Sequence, residues 1–189
     1  MKETRATYFS VDIECSGPVP ALYDMISLGA VVVAPDAEGQ LHIGPTLYLE
    51  IAPQGPRVDA EAMKINGLDL EKLRATGLPR REALLQLTSW TKQHTVRGTK
   101  PVFVGHNAPF DWSFVSWCYE AEDLPNPFGY KALDTKALAA GRLRLHWFDT
   151  GKENLDSILG IEPENMSLKH RADYDAEYQA KILIRLLER

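Results

Sequence analysis

The first strand-like pattern runs over residues 6–13, where Ala6, Thr7, Tyr8 and Phe9 lead into the interleaved Val11 and Ile13. Residues 16–25, punctuated by Gly17, Pro18 and Pro20, form a loop. A very apolar run, ISLGAVVVA (26–34), predicts a second strand. The turn PDAEGQ then leads to a third strand over 41–52, which completes an antiparallel meander. After a break at APQGPRV, two short helices close at Gly67 and Gly77. Residues 80–95 have helical spacing, with Leu84, Leu87 and Trp90 or Thr91 on one side. PVFVGHN predicts a short buried strand, followed by a helix over 108–123 that is apolar at Phe110, Phe114, Val115 and Cys118. A strand passing into a helix near Asp134, a helix over 153–160 and a last helix over 173–189 complete the chain. The last carries Ala176, Ala180, Leu183 and Leu187 along one stripe. A meander followed by alternating strands and helices predicts an α/β domain, a mixed sheet covered by helices on its faces.

Within the first strand, Asp12 and Glu14 are two residues apart and share a face. Two like charges side by side on a half-buried face destabilise it unless something positive lies between them. Either this is a metal site, or it is a solvated polar edge.

The 189 residues, 44% hydrophobic and 25% charged, are enough for one globular domain spanning 1–189. No apolar run has the length of a membrane span, and the N-terminus lacks the apolar core of a signal peptide. The expectation is a cytoplasmic protein with no membrane partner. Cys15 and Cys118 have no metal-type spacing and are expected to be reduced and structural, although Cys15 adjoins Glu14. A net charge of −5 argues against a dedicated nonspecific duplex binder. It leaves room for an acidic metal site with a local basic rim, for which Lys152, Lys169, Arg142, Arg144 and Arg171 are candidates, each also readable as a solvated surface charge.

Three further stretches carry acids: GHNAPFD with Asp111, ALDTKALA with Asp134, and HRADYDA with His170 five residues before Asp175. Asp111 is readable as a first-turn acid, Asp134 as an N-cap and His170 as a surface histidine. Asp175 borders the apolar stripe of the last helix, where a carboxylate needs a partner.

The order VDIE, GHNAPFD, LDT, HRADYDA resembles the three exonuclease motifs of the DnaQ-like 3'-5' exonucleases, which include the DNA polymerase III proofreading subunit and RNase T. The H-x-x-x-x-D spacing resembles the DEDDh subgroup. Tyr174 directly precedes Asp175 and lacks the spacing of the tyrosine-type sister group. The resemblance implies a ribonuclease H-like fold with a mixed five-stranded sheet. It implies that Asp12, Glu14, Asp111 and Asp175 hold two divalent cations, Mg²⁺ or Mn²⁺, with His170 as general base. Asn107 and His106 match the second motif, and Cys15 and Ser16 stand where threonines often contact the terminal nucleotide. Phe110, Trp112, Trp147, Phe148 and Tyr174 are candidates for stacking on bases, and Trp147 and Phe148 are expected to be the exposed ones. The implied function is metal-dependent hydrolysis of single-stranded DNA or RNA from the 3' end, releasing nucleoside 5'-monophosphates, in a possible homodimer. An inert nucleic-acid-binding or scaffolding module and a small-molecule phosphodiesterase are the alternatives.

Overall fold

The computed structural model describes residues 6–188. Five strands form one sheet in the order β3-β2-β1-β4-β5. They are β1 (Ala6–Cys15), β2 (Met25–Pro35), β3 (Leu41–Glu50), β4 (Lys100–Gly105) and β5 (Ala132–Asp134). The meander β1-β2-β3 is antiparallel, whereas β4 and β5 add parallel strands on the other side of β1. The helices are α1 (Ala60–Asn66), α2 (Leu70–Thr76), α3 (Arg80–His94), α4 (Ala108–Ala121), α5 (Thr135–Leu143), α6 (Lys152–Leu159) and α7 (Ala172–Glu188). This is the mixed, helix-covered sheet that the alternation predicts. Two details differ. β1 runs on through Glu14 to a bulge before Cys15, and a 3₁₀ turn at Trp147–Asp149 interrupts the stretch before α6. Arg189, which ends the expected last helix, lies outside the described residues. Among the described residues no helix is long and apolar enough to cross a membrane.

Strand alternation sorts the core onto two faces. Phe9, Val11 and Ile13 of β1 join Leu28, Ala30 and Val32 of β2 against Leu84 and Leu87 of α3 and Phe114, Val115 and Cys118 of α4. On the other face, Val31, Val33 and Val104 pack against Ala176, Ala180 and Leu183 of α7, with Leu187 half-buried at the edge. Of the two residues that share one position in the expected α3 stripe, Thr91 is fully buried, while Trp90 is half-buried and meets Phe9 edge-on.

Two features of this packing position the site. Pairing of β1 with β4 ends at Ser10↔Val104, so Asp12 and Glu14 project beyond the point where β4 turns into α4. This crevice at the carboxyl ends of parallel strands is where α/β sheets commonly bind ligands. Gly29 lies opposite Asp12 on β2, and a Cβ there would sit 2.1 Å from the backbone carbon of Ala172. Only glycine lets the first turn of α7 press onto the sheet here, and that contact brings Asp175 over β1.

Candidate active site

Asp12, Glu14, Asp111 and Asp175 converge on one open cavity of about 610 Å³ that also reaches His106, Asn107, Phe110 and His170. Asp111, Asp12 and Asp175 are each fixed by a separate device. Asp111, in the first turn of α4 and 5% exposed, accepts a hydrogen bond from the Ile13 N–H at 3.1 Å. Asp12 accepts from Gln179 Nε2, and Gln179 Oε1 in turn accepts from the His106 N–H at 3.1 Å. Gln179 therefore ties β1 to the β4–α4 turn from one helical turn beyond Asp175. Asp175, 4% exposed, accepts from the His170 N–H at 2.7 Å through Oδ2 and from Lys152 Nζ at 2.6 Å through Oδ1.

The H-x-x-x-x-D spacing has a local physical meaning. His170 adopts a left-handed backbone conformation (φ 67°), which is uncommon for a residue with a side chain. Its N–H closes a turn onto Asp175, and this turn aims the ring at the cavity, with Nδ1 3.9 Å from Glu14 Oε1. Ligand atoms of Glu14, His170 and Asp175 all lie within 4.8 Å of one another.

Burial, and then repulsion from Asp111, Asp175 and Glu14, raises the Asp12 carboxyl well above the usual range. Glu14 is pushed up to about 8 by burial, then by Asp175 and Asp111. Lys152 opposes the rise at Asp12, Glu14 and Asp111. An all-oxygen donor set whose charges are under-compensated fits a hard divalent cation.

Asp134 sits outside this cluster. Its Oδ1 accepts from the N–H groups of Asn107, Ala108 and Lys136, and its Oδ2 accepts from that of Ala137. One carboxylate thus caps α5 and also holds the first amides of α4, the helix that carries Asp111. Asn107, left-handed and exposed, stands at the entry to α4. The His106 ring is bonded through Nδ1 to Thr135 Oγ1 at 2.8 Å, and burial together with Lys152 and Lys136 pushes it down to about 3, so it is neutral.

Cys15 and Ser16 are not brought to the cavity. Strand alternation turns Cys15 away from Glu14 into the core, where burial pushes its thiol up to about 11. Ser16 Oγ is used inside the loop, accepting from the Asp24 N–H and donating to the Arg57 carbonyl. Of the basic candidates, Lys152 and Lys169 line the cavity, whereas Arg171 pairs with Asp173 at 2.6 Å and Arg142 and Arg144 lie elsewhere. Phe110 is half-buried at the wall, and Trp147 and Phe148 are exposed on the rim, Phe148 by 81%. Trp112 packs edge-on against Phe103, and Tyr174 accepts from the Asn165 N–H. The sequence reading missed Gln179 and Glu164. Only the i+4 spacing of Gln179 from Asp175 hinted at the former.

A family model described as Exonuclease, typified by RNase T, matches residues 9–183. The chain belongs to this exonuclease family. It is 34% identical over 190 residues to the 3'-5' DNA exonuclease Cap18 of Escherichia coli, covering 100% of this chain and 95% of that protein. It is 30% identical over 186 residues to the ribonuclease T of Marinobacter nauticus, covering 95% of this chain and 81% of the other. Among solved structures, the nuclease domain of 3'hExo, a DEDDh family member bound to rAMP, superposes with a TM-score of 0.78 at 15% identity, over 96% of this chain and 92% of that one. E. coli exonuclease I in complex with a dT13 oligonucleotide superposes with a TM-score of 0.70 at 20% identity, over 95% of this chain and 40% of that one. The fold is the ribonuclease H-like fold of the DEDDh exonucleases. Hydrolysis in this exonuclease family depends on divalent metal ions.

Proposed function

We propose that this exonuclease removes nucleotides one at a time from the 3' end of single-stranded nucleic acid, with DNA the preferred substrate, and releases nucleoside 5'-monophosphates. The observation that carries the reading is the convergence of four carboxylates from β1, α4 and α7 with a histidine at the mouth of the same cavity. Asp12, Glu14, Asp111 and Asp175 would hold two divalent ions, Mg²⁺ or Mn²⁺. Such ions, when bound, neutralise the phosphodiester and ease formation of the attacking hydroxide. The DNA preference is supported by the 34% identity to a relative named as a DNA exonuclease.

The chain's own residues do the positioning. The Ile13 N–H and Gln179 keep Asp111 and Asp12 from rotating away from the cavity. His170 takes the proton from the attacking water. Its ring is 39% exposed, so it can pass that proton to solvent. Phe110, Trp147 and Phe148 offer apolar faces beside the acids on which unpaired bases stack, an interaction worth about 1–3 kcal/mol per base. In a duplex the bases are paired and stacked on one another, and only the outer face of the terminal pair is free.

A panel of 5'-labelled single-stranded DNA, single-stranded RNA, blunt duplex and a small phosphodiester, each with Mg²⁺ and with Mn²⁺, tests the proposal. The expected result is a ladder shortening from the 3' end, fastest on single-stranded DNA, with the small diester left intact. Cleavage of the small diester alone would sink it.

A further inference from the structure

Lys152 is the first residue of α6, yet its ammonium lies inside the acidic cavity rather than in solvent. Nζ is 2.6 Å from Asp175 Oδ1 and 3.3 Å from Glu164 Oε1. The lysine side chain is 15% exposed and that of Glu164 is 8% exposed. The Tyr178 ring closes one side, 6.0 Å from Nζ. Glu164 belongs to neither helix and is not one of the four converging acids. Its other oxygen is 3.8 Å from Lys169 Nζ. Burying a second carboxylate beside a lysine already paired with Asp175 costs desolvation energy that the first pair does not require. This extra acid needs a reason.

We propose that Lys152 sets the affinity of the site for divalent cations by moving between two carboxylates. Without a divalent ion, its ammonium compensates Asp175 and, through it, the four-acid cluster. When a divalent ion claims Asp175, the ammonium is handed to Glu164, so it remains paired and does not repel the incoming charge. Lys152 and the divalent ion thus compete for one oxygen, and Glu164 lowers the cost of the exchange. This rests on the reading of Asp175 as a metal ligand. It makes Lys152 and Glu164 positioning residues that act through Asp175.

Equilibrium binding of Mn²⁺, followed by electron paramagnetic resonance of the free ion at fixed pH, tests it without reference to turnover. Lys152→Met removes the competitor and should tighten Mn²⁺ binding by about 5- to 150-fold, the usual range for two coupled sites. Glu164→Gln removes the alternative partner and should weaken binding several-fold. A plain loss of negative charge would also weaken binding, so the double variant is decisive. In the Lys152→Met background, Glu164→Gln should change affinity by less than twofold. An equal effect of Glu164→Gln in both backgrounds, or unchanged affinity in both single variants, would overturn the exchange while leaving the exonuclease proposal standing. Failure of the wild-type protein to bind Mn²⁺ would overturn both. If Lys152→Met does not fold, Lys152→Gln, which also removes the charge, takes its place in the same cycle with the same outcomes.

Discussion

Replacing Glu14 by glutamine in the metal-free protein should stabilise it at alkaline pH and leave it almost unchanged at acid pH. The Glu14 carboxyl is pushed from the ordinary 4.5 up to about 8, by burial first and then by Asp175 and Asp111. Between those values the folded state holds a proton that the unfolded state has lost. Ionisation of Glu14 therefore destabilises the fold progressively from about pH 4.5 to about pH 8, and the penalty is constant above that. At about 1.4 kcal/mol per pH unit, the ceiling is about 5 kcal/mol. Relaxation and water entry at an open cavity reduce it, and about 1–3 kcal/mol is the expected gain for Glu14→Gln at pH 8. Urea unfolding in excess chelator at pH 5 and pH 8 measures it. The wild type should lose stability between the two pH values, and the variant should lose less. Saturating Mn²⁺ should reverse the order at pH 8, because on the proposed assignment only the wild type keeps all four carboxylate ligands. Parallel pH profiles for the two proteins would refute the reasoning.

Asp134→Ala strips acceptors from the first amides of both α4 and α5 and should cost about 2–4 kcal/mol in urea unfolding, above the usual value for a single cap. Gln179→Leu keeps the volume but frees Asp12 and the His106 N–H, and should lower turnover by about 10- to 100-fold with little change in KM. On the proposed roles, His170→Ala should lower turnover by about 10²- to 10⁴-fold while calorimetry finds Mn²⁺ affinity within a few-fold of wild type; a large loss of Mn²⁺ affinity would instead make the imidazole a ligand beside Glu14 and Asp175.

The parts of the site legible in the sequence were those set by local geometry. The two-residue period of a strand puts Asp12 and Glu14 on one face, and the β1 register bears this out. The five-residue step from His170 to Asp175 is a turn closed by its own hydrogen bond, so the spacing carries the geometry with it. Adjacency in sequence misled at Cys15 and Ser16. The same alternation that exposes Glu14 to the cavity buries Cys15, and the bulge after Glu14 starts a loop that consumes the Ser16 hydroxyl. Gln179 and Glu164 were illegible because their partners come from other elements, and Lys152 was legible as a basic rim candidate but not as the partner of Asp175. Gln179 meets Asp12 from 167 residues away, and Lys152 meets Asp175 across 23. Asp134 was readable as a cap of its own helix, but its hold on α4 depends on β5 lying beside β4.

The most direct measurement compares wild type and Asp12→Asn on a linear and a circular single-stranded DNA of the same sequence, in Mg²⁺. If the four carboxylates form one hydrolytic centre for free 3' ends, the wild type shortens the linear strand from its 3' end and leaves the circle intact. Asp12→Asn, folded as judged by circular dichroism, should lose about 10³-fold or more in rate, several kcal/mol of electrostatic stabilisation. Cutting of the circle as fast as the linear strand, or activity of Asp12→Asn within tenfold of wild type, would contradict it.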